Sequence, residues 1–158
     1  MILSFSEHPH TRLRKGEFYF MNKEEICKIL PHRDDMLLIE EAFLKEDKAC
    51  ARYQFRGDEW FFRGHFPGNP VVPGVILCEI LAQSAAVLLD GTRTEDMIPY
   101  FTGLDKVRFK NPVHPGDTIE TECTITKAKP PFYFAEGRGL VAGRVCVRAE
   151  FSFALIKR

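Results

Sequence analysis

The sequence predicts an α+β domain in which a curved, mostly antiparallel sheet encloses one long helix, and three observations carry that reading. From residue 74 to about 90 the spacing is helical, yet the segment is apolar on every side apart from Glu79, Gln83 and Ser84. A helix without a polar face has to be wrapped by other elements. Between 144 and 156, Val145, Val147, Ala149, Phe151, Phe153 and Leu155 alternate with Cys146, Arg148, Glu150 and Ser152, the period of a strand with two unlike faces. Further strand-like segments are separated by turn-forming residues such as His114-Pro115-Gly116-Asp117 and Ala142-Gly143, which suits antiparallel neighbours.

Taken in order, residues 1–21 form an N-terminal extension and 22–158 a single domain. The extension carries His8, His10, Arg12, Arg14 and Lys15, read as a loose, solvated arm. At Asn22 a capping residue is followed three positions later by Glu25, then by Ile26, Ile29 and Leu30 at helical spacing and by Pro31, which predicts a short helix. Segments 36–44 and 48–55 read as extended; in the second, Ala49, Ala51, Tyr53 and Phe55 alternate with Cys50, Arg52 and Gln54. The long helix follows, then a Gly/Thr/Asp-rich break at 91–96 and strands over 103–110, 118–127, 132–140 and 144–156.

Composition narrows the function classes. The chain has 158 residues, 45% of them hydrophobic, enough for one core without metal or disulfide staples. Its 22 basic and 22 acidic residues cancel, so no overall field favours nucleic acid or an anionic membrane. The five cysteines are scattered, with no CxxC pair and no histidine at zinc-site spacing, which predicts reduced, packed thiols and no metal. No segment has the length and apolarity of a signal peptide or membrane span, and the expected location is the cytoplasm.

The chemistry gathers at GHFPGNPVVPGVILCEILAQ, residues 64–83. On a helix Glu79 and Gln83 share a face, so the amide can orient the carboxyl. No Lys or Arg lies between Val75 and Leu89, and an apolar site without a cation disfavours the charged carboxylate. The sequence therefore predicts a Glu79 that holds a proton near neutrality, as a general acid must. The alternative is a Glu that reaches a rim or pairs with an Arg from elsewhere. His65, fourteen positions earlier, is the natural base at physiological pH, although a lone loop histidine can equally be structural. Pro67, Pro70 and Pro73 stiffen the connection, and Gly74 at the helix start offers an amide and the helix dipole to a carbonyl gaining negative charge. A base, an acid and an oxyanion site suit removal of a proton beside a thioester carbonyl with loss of a hydroxyl one carbon further on.

At these residues the sequence resembles the (3R)-hydroxyacyl-[acyl-carrier-protein] dehydratases of bacterial fatty acid synthesis, the FabZ type. Three blocks carry the resemblance: Leu30-Pro31-His32-Arg33 with Leu37-Leu38-Ile39; Gly64-His65-Phe66-Pro67-Gly68 through Pro73-Gly74-Val75 to Glu79 and Ala82-Gln83; and 103–109 with Pro112 and Pro115-Gly116-Asp117. The resemblance implies a hotdog fold and a homodimer, often a trimer of dimers, with His65 of one chain meeting Glu79 of the other. On it His65 is the base, Glu79 the acid, Gln83 its orienting partner and Gly74 the amide donor. No metal or organic cofactor is implied, the substrate arriving on a phosphopantetheine arm. Where the family places an aromatic residue and a proline after Pro-His-Arg, this chain has Asp34-Asp35-Met36.

Phe66, Pro73, Val75 and Phe101 are the candidate substrate contacts. Phe61, Phe62, Tyr100, Phe132 and Phe134 are further aromatics for an acyl tunnel, although core packing accounts for most of the set. Lys106, Arg108 and Lys110 alternate along one strand and, with Arg63, form a candidate docking surface for an acidic acyl carrier protein; a solvated sheet face explains them equally well. Arg138 and Arg144 are possible additions. Competing readings are a dehydratase of a specialised lipid or polyketide route, a dehydratase-isomerase, a hotdog thioesterase and a non-catalytic acyl-binding dimer. An Asp usually holds the helix acid position in the isomerase branch, so Glu79 speaks against it.

Overall fold

The computed structural model describes residues 16–89 and 96–158. The basic residues of the arm and most of the break at 91–96 lie outside the described residues, as does Asp90. Seven strands, β1 (Tyr19–Met21), β2 (Glu41–Lys45), β3 (Lys48–Gln54), β4 (Met97–Phe109), β5 (Thr118–Lys129), β6 (Phe132–Val141) and β7 (Arg144–Lys157), form one sheet in the order β1-β2-β3-β5-β6-β7-β4. Every neighbouring pair is antiparallel. A short helix α1 (Lys23–Ile29) precedes β2, and the long helix α2 (Gly74–Ala86) packs against β3, β5, β6 and β7. No helix among the described residues is long and apolar enough to cross a membrane.

The wrapped helix is as the composition demands. Ile76, Leu77, Cys78, Ile80, Leu81, Ala85 and Ala86 are all buried, and so are Val147, Ala149, Phe151, Phe153 and Leu155 on the facing side of β7. Each large apolar side chain taken out of water contributes about 1.5–3 kcal/mol. Gly137 in β6 leaves room for Cys123: a Cβ there would stand 2.5 Å from its Sγ, which reaches the Leu81 carbonyl of α2 at 3.4 Å. The five cysteines are free thiols, and burial raises the pKa of those at Cys78, Cys123 and Cys146.

One polar thread ties α2 to the sheet. The Ala51 amide donates to Thr121 Oγ1 at 3.1 Å, that hydroxyl donates to Ser84 Oγ at 2.8 Å, and Ser84 donates to the Ile80 carbonyl at 2.7 Å. Thr121 and Ser84 are fully buried, so no water can replace a lost partner. Thr121→Val keeps the shape and removes the hydroxyl, leaving the buried Ser84 Oγ without its donor. A loss of about 1–3 kcal/mol is expected, read as a lower urea midpoint at unchanged slope.

The structure departs from the sequence reading in three places. Tyr19–Met21 pairs with Leu44, Phe43 and Ala42 as an edge strand, so the sheet takes in three residues of the stretch read as extension; Met21 is buried. The predicted strand over 36–44 begins only at Glu41, because Asp34–Met36 is a 3-10 turn and the next stretch gives its backbone away. Leu38 N–H goes to Gln83 Oε1 and the Met36 carbonyl to Gln83 Nε2. Finally, β4 starts at Met97 rather than 103 and is interrupted by register shifts between Phe101 and Gly103 and between Asp105 and Arg108.

Candidate active site

The α1 capping box forms as its sequence signature predicts, Asn22 Oδ1 accepting from Glu25 N and Glu25 Oε2 accepting from Asn22 N. The Pro-His-Arg loop leaves the opposite end of this helix. There Arg33 lies across the end of α1, donating to the carbonyls of Leu30 and His32 at 2.7 Å and of Cys27 at 2.8 Å. A guanidinium suits the negative end of the helix, and it fixes the loop so that His32 faces α2.

On α2, Gln83 Nε2 donates to Glu79 Oε1 at 2.9 Å, as the four-residue spacing predicts. Gln83 is itself fully buried and fully paired: its second N–H donates to the Met36 carbonyl at 2.8 Å and its oxygen accepts from Leu38 N–H at 2.9 Å. The two backbone partners leave only one orientation of the amide, because a carbonyl accepts only and an N–H donates only.

Glu79 has a further partner that the sequence reading missed. His32 Nε2 stands 3.1 Å from the same Oε1, with both side chains about one-fifth exposed. No spacing rule links positions 32 and 79; only the docking of the loop joins them. His32, Glu79, Gln83, Pro99, Phe101 and Phe153 line a small cleft of about 60 Å³.

The loop carrying His65 is closed by its own backbone. Phe66 N–H donates to Asn69 O and Asn69 N–H to Phe66 O, while Val71 N–H reaches His65 O at 2.9 Å. His65 Nδ1 lies 2.9 Å from the Val71 carbonyl. A carbonyl can only accept, so Nδ1 carries a proton, and in the neutral ring Nε2 is then the nitrogen with the lone pair. The ring stacks on Phe66 at 4.2 Å.

Glu59 lies upstream of this loop, in the turn that follows β3. Its carboxylate accepts from the amides of Arg56 and Gly57 and from the Tyr53 hydroxyl. Partial burial works against its charge, but those amides and the hydroxyl outweigh it and hold its pKa below the ordinary 4.5. Burial and the neighbouring Glu59 push the Tyr53 hydroxyl upward. A depressed carboxyl pKa stabilises the fold above the unfolded value, and that contribution is lost as pH falls through the folded one. Stability should therefore fall on acidification below pH 4.5, and Glu59→Gln should flatten that part of a denaturation-against-pH curve.

The structure brings some predicted residues together and separates others. Within one chain Glu79, Gln83 and Phe101 line the cleft, whereas His65 does not. Gly74 opens α2, and the Phe109 ring lies where a Cβ would be, 2.6 Å away. Phe66 and Val75 are exposed and Pro73 half-buried. Of the candidate tunnel aromatics Phe61 and Phe62 are core, whereas Phe66, Tyr100, Phe101, Phe132 and Phe134 are largely uncovered in one chain, against the expectation of packing. Arg63, Lys106, Arg108 and Lys110 are all exposed. The register of β4 shifts between Asp105 and Arg108, and Lys106 is paired with Glu150 at 2.9 Å, yet Lys106 and Arg108 line one groove. Arg138 is likewise paired with Glu122, and Arg144 donates to Asn111.

Comparison with known proteins gives concordant results. Residues 41–144 match the ApeI-like family, described as ApeI dehydratase. The chain is 42% identical over 138 residues to the 3-hydroxyacyl-[acyl-carrier-protein] dehydratase FabZ of Petrotoga mobilis, covering 87% of this chain and 99% of that protein. It is 41% identical over 137 residues to the enzyme of the same name from Clostridium perfringens, covering 85% and 99%. Among solved structures, the dehydratase heterocomplex ApeI:P from Xenorhabdus doucetiae superposes with a TM-score of 0.73 over 84% of this chain and 91% of that one. At 18% identity that likeness speaks for the hotdog fold alone.

Proposed function

Because the chain belongs to the family of FabZ-type 3-hydroxyacyl-[acyl-carrier-protein] dehydratases, we propose that it removes water from a (3R)-hydroxyacyl group on an acyl carrier protein. The product is the trans-2-enoyl thioester of fatty acid biosynthesis. The observation that carries the reading is the Glu79 carboxyl set in an apolar helix, with Oε1 held by a buried and fully satisfied Gln83. His65 Nε2 takes the proton from C2, and its electron pair forms the C2–C3 double bond. The C3–O bond breaks toward oxygen, which takes the Glu79 proton and leaves as water. The Gly74 amide, first in α2 and without a helical partner, receives the thioester oxygen as charge builds on it.

The site is built by two chains. A cleft of about 60 Å³ is far below the roughly 300 Å³ at which small-molecule pockets begin, and His65 lies outside it. The unpaired side of β4 is the surface on which this reading seats a second copy. This 13-residue edge strand exposes Tyr100, Phe101, Leu104 and Phe109, and a long apolar edge is a pairing surface. Phe66 and Val75, exposed beside the catalytic loop, enter the same interface and the acyl path. Proton transfer alone accounts for loss of water, so this reading assigns no metal or organic cofactor, the acyl group arriving on a phosphopantetheine arm. Arg63, Arg108 and Lys110, which make no ion pair among the described residues, remain for an acidic carrier protein; Lys106 would first have to leave Glu150.

Incubating the purified protein with a 3-hydroxyacyl carrier substrate should give the enoyl product, followed by mass as loss of one water. Release of free acid instead would favour the thioesterase reading.

A further inference from the structure

We propose that His32 is a positioning residue for Glu79: as the neutral Nε2–H tautomer it saturates Oε1 together with Gln83, so that the acidic proton sits on Oε2 and leaves from there. The inference rests on the reading of Glu79 as the acid.

His32 Nδ1 is buried with no hydrogen-bond partner. A buried N–H without an acceptor is rarer and costlier than an unfilled lone pair. That excludes the Nδ1–H tautomer and the imidazolium alike, since both would bury an unanswered N–H. The ring proton is therefore on Nε2, pointed at Glu79 Oε1 at 3.1 Å. Gln83 Nε2 donates to the same oxygen at 2.9 Å, and its own orientation is fixed by Leu38 N–H and the Met36 carbonyl. A carboxyl oxygen has two in-plane lone pairs, and both on Oε1 are now occupied.

Oε2 has no hydrogen-bond partner among the described residues and is not among the buried unpaired atoms. It is the oxygen open to the cleft, and a proton placed there is free to move. When it goes to the departing hydroxyl, water is released and the new carboxylate keeps two N–H donors already in place. Donors to the charged form make the acid stronger at the moment of transfer. Among the described residues His32 and Glu79 are the only titratable groups lining the cleft, and no other of them there shares the task.

The test compares His32→Leu, His32→Gln and Glu79→Gln as intact proteins. With Leu, kcat should fall about 10- to 100-fold at nearly unchanged KM, and the limb of the kcat–pH profile set by Glu79 should move to higher pH. Gln places an amide N–H near the position of Nε2 and should restore most of the rate and the limb. In histidine-labelled wild type, imidazole nitrogen resonances should report His32 protonated on Nε2 alone. A folded His32→Leu with wild-type kcat and pH profile, beside an inactive Glu79→Gln, overturns the role of His32 only. A proton on Nδ1 overturns it independently of activity, and an active Glu79→Gln overturns the acid reading itself.

Discussion

Glu79→Gln is expected to lower kcat by about 10²- to 10⁴-fold, the range for loss of a general acid, with the fold unchanged. The substitution is nearly isosteric, and the new amide oxygen can still accept from Gln83 and His32 as Glu79 Oε1 does. The cleft keeps its shape. What disappears is the acidic proton, because an amide nitrogen stands where Oε2 stood and cannot deliver one to a leaving hydroxyl. A melting temperature within a few degrees of wild type alongside the lost rate assigns the effect to chemistry. A comparable loss of stability would instead mean that Glu79 is chiefly a structural member of the Gln83 network.

His65→Ala is expected to cost a similar factor, about 10²- to 10⁴-fold, by a different route. The Val71 carbonyl orients the imidazole through Nδ1–H, so that the neutral ring presents Nε2 as the base, and removal of the ring abolishes proton abstraction at C2. Exchange of substrate C2 hydrogen with solvent, in the absence of net turnover, should vanish with it. In Glu79→Gln that exchange can persist, since abstraction does not need the acid. The two variants therefore separate two proton movements that a single rate constant merges.

Much of the fold is legible in the residues because local and global demands agree. The alternation through β7 and the capping box at Asn22 each state one periodicity without conflict, and the apolar girth of α2 leaves it nowhere to lie except inside the sheet. Residues 36–39 mislead because their apolar run belongs to a segment whose backbone hydrogen bonds are met by the buried Gln83 side chain rather than by a neighbouring strand. At Lys106 the bulge breaks the period of two, and the side chain pairs with Glu150, which a count of alternating residues does not foresee. The site divides in the same way. Glu79 and Gln83 are found by helical spacing, but His32 reaches Glu79 only through a loop anchored by Arg33 on three carbonyls. The surface of β4 left bare in one chain is likewise invisible to a pattern that counts only apolar residues.

A shared site makes a demand that no single variant can test. His65→Ala and Glu79→Gln, each inactive alone, should recover activity when mixed under conditions that exchange subunits. A mixed dimer combines His65 from one chain with Glu79 from the other in one intact site, and random pairing by twofold symmetry gives about a quarter of the wild-type rate. Recovery to that level is the result expected if the two proton movements belong to different chains. Efficient exchange with no recovered activity would contradict it.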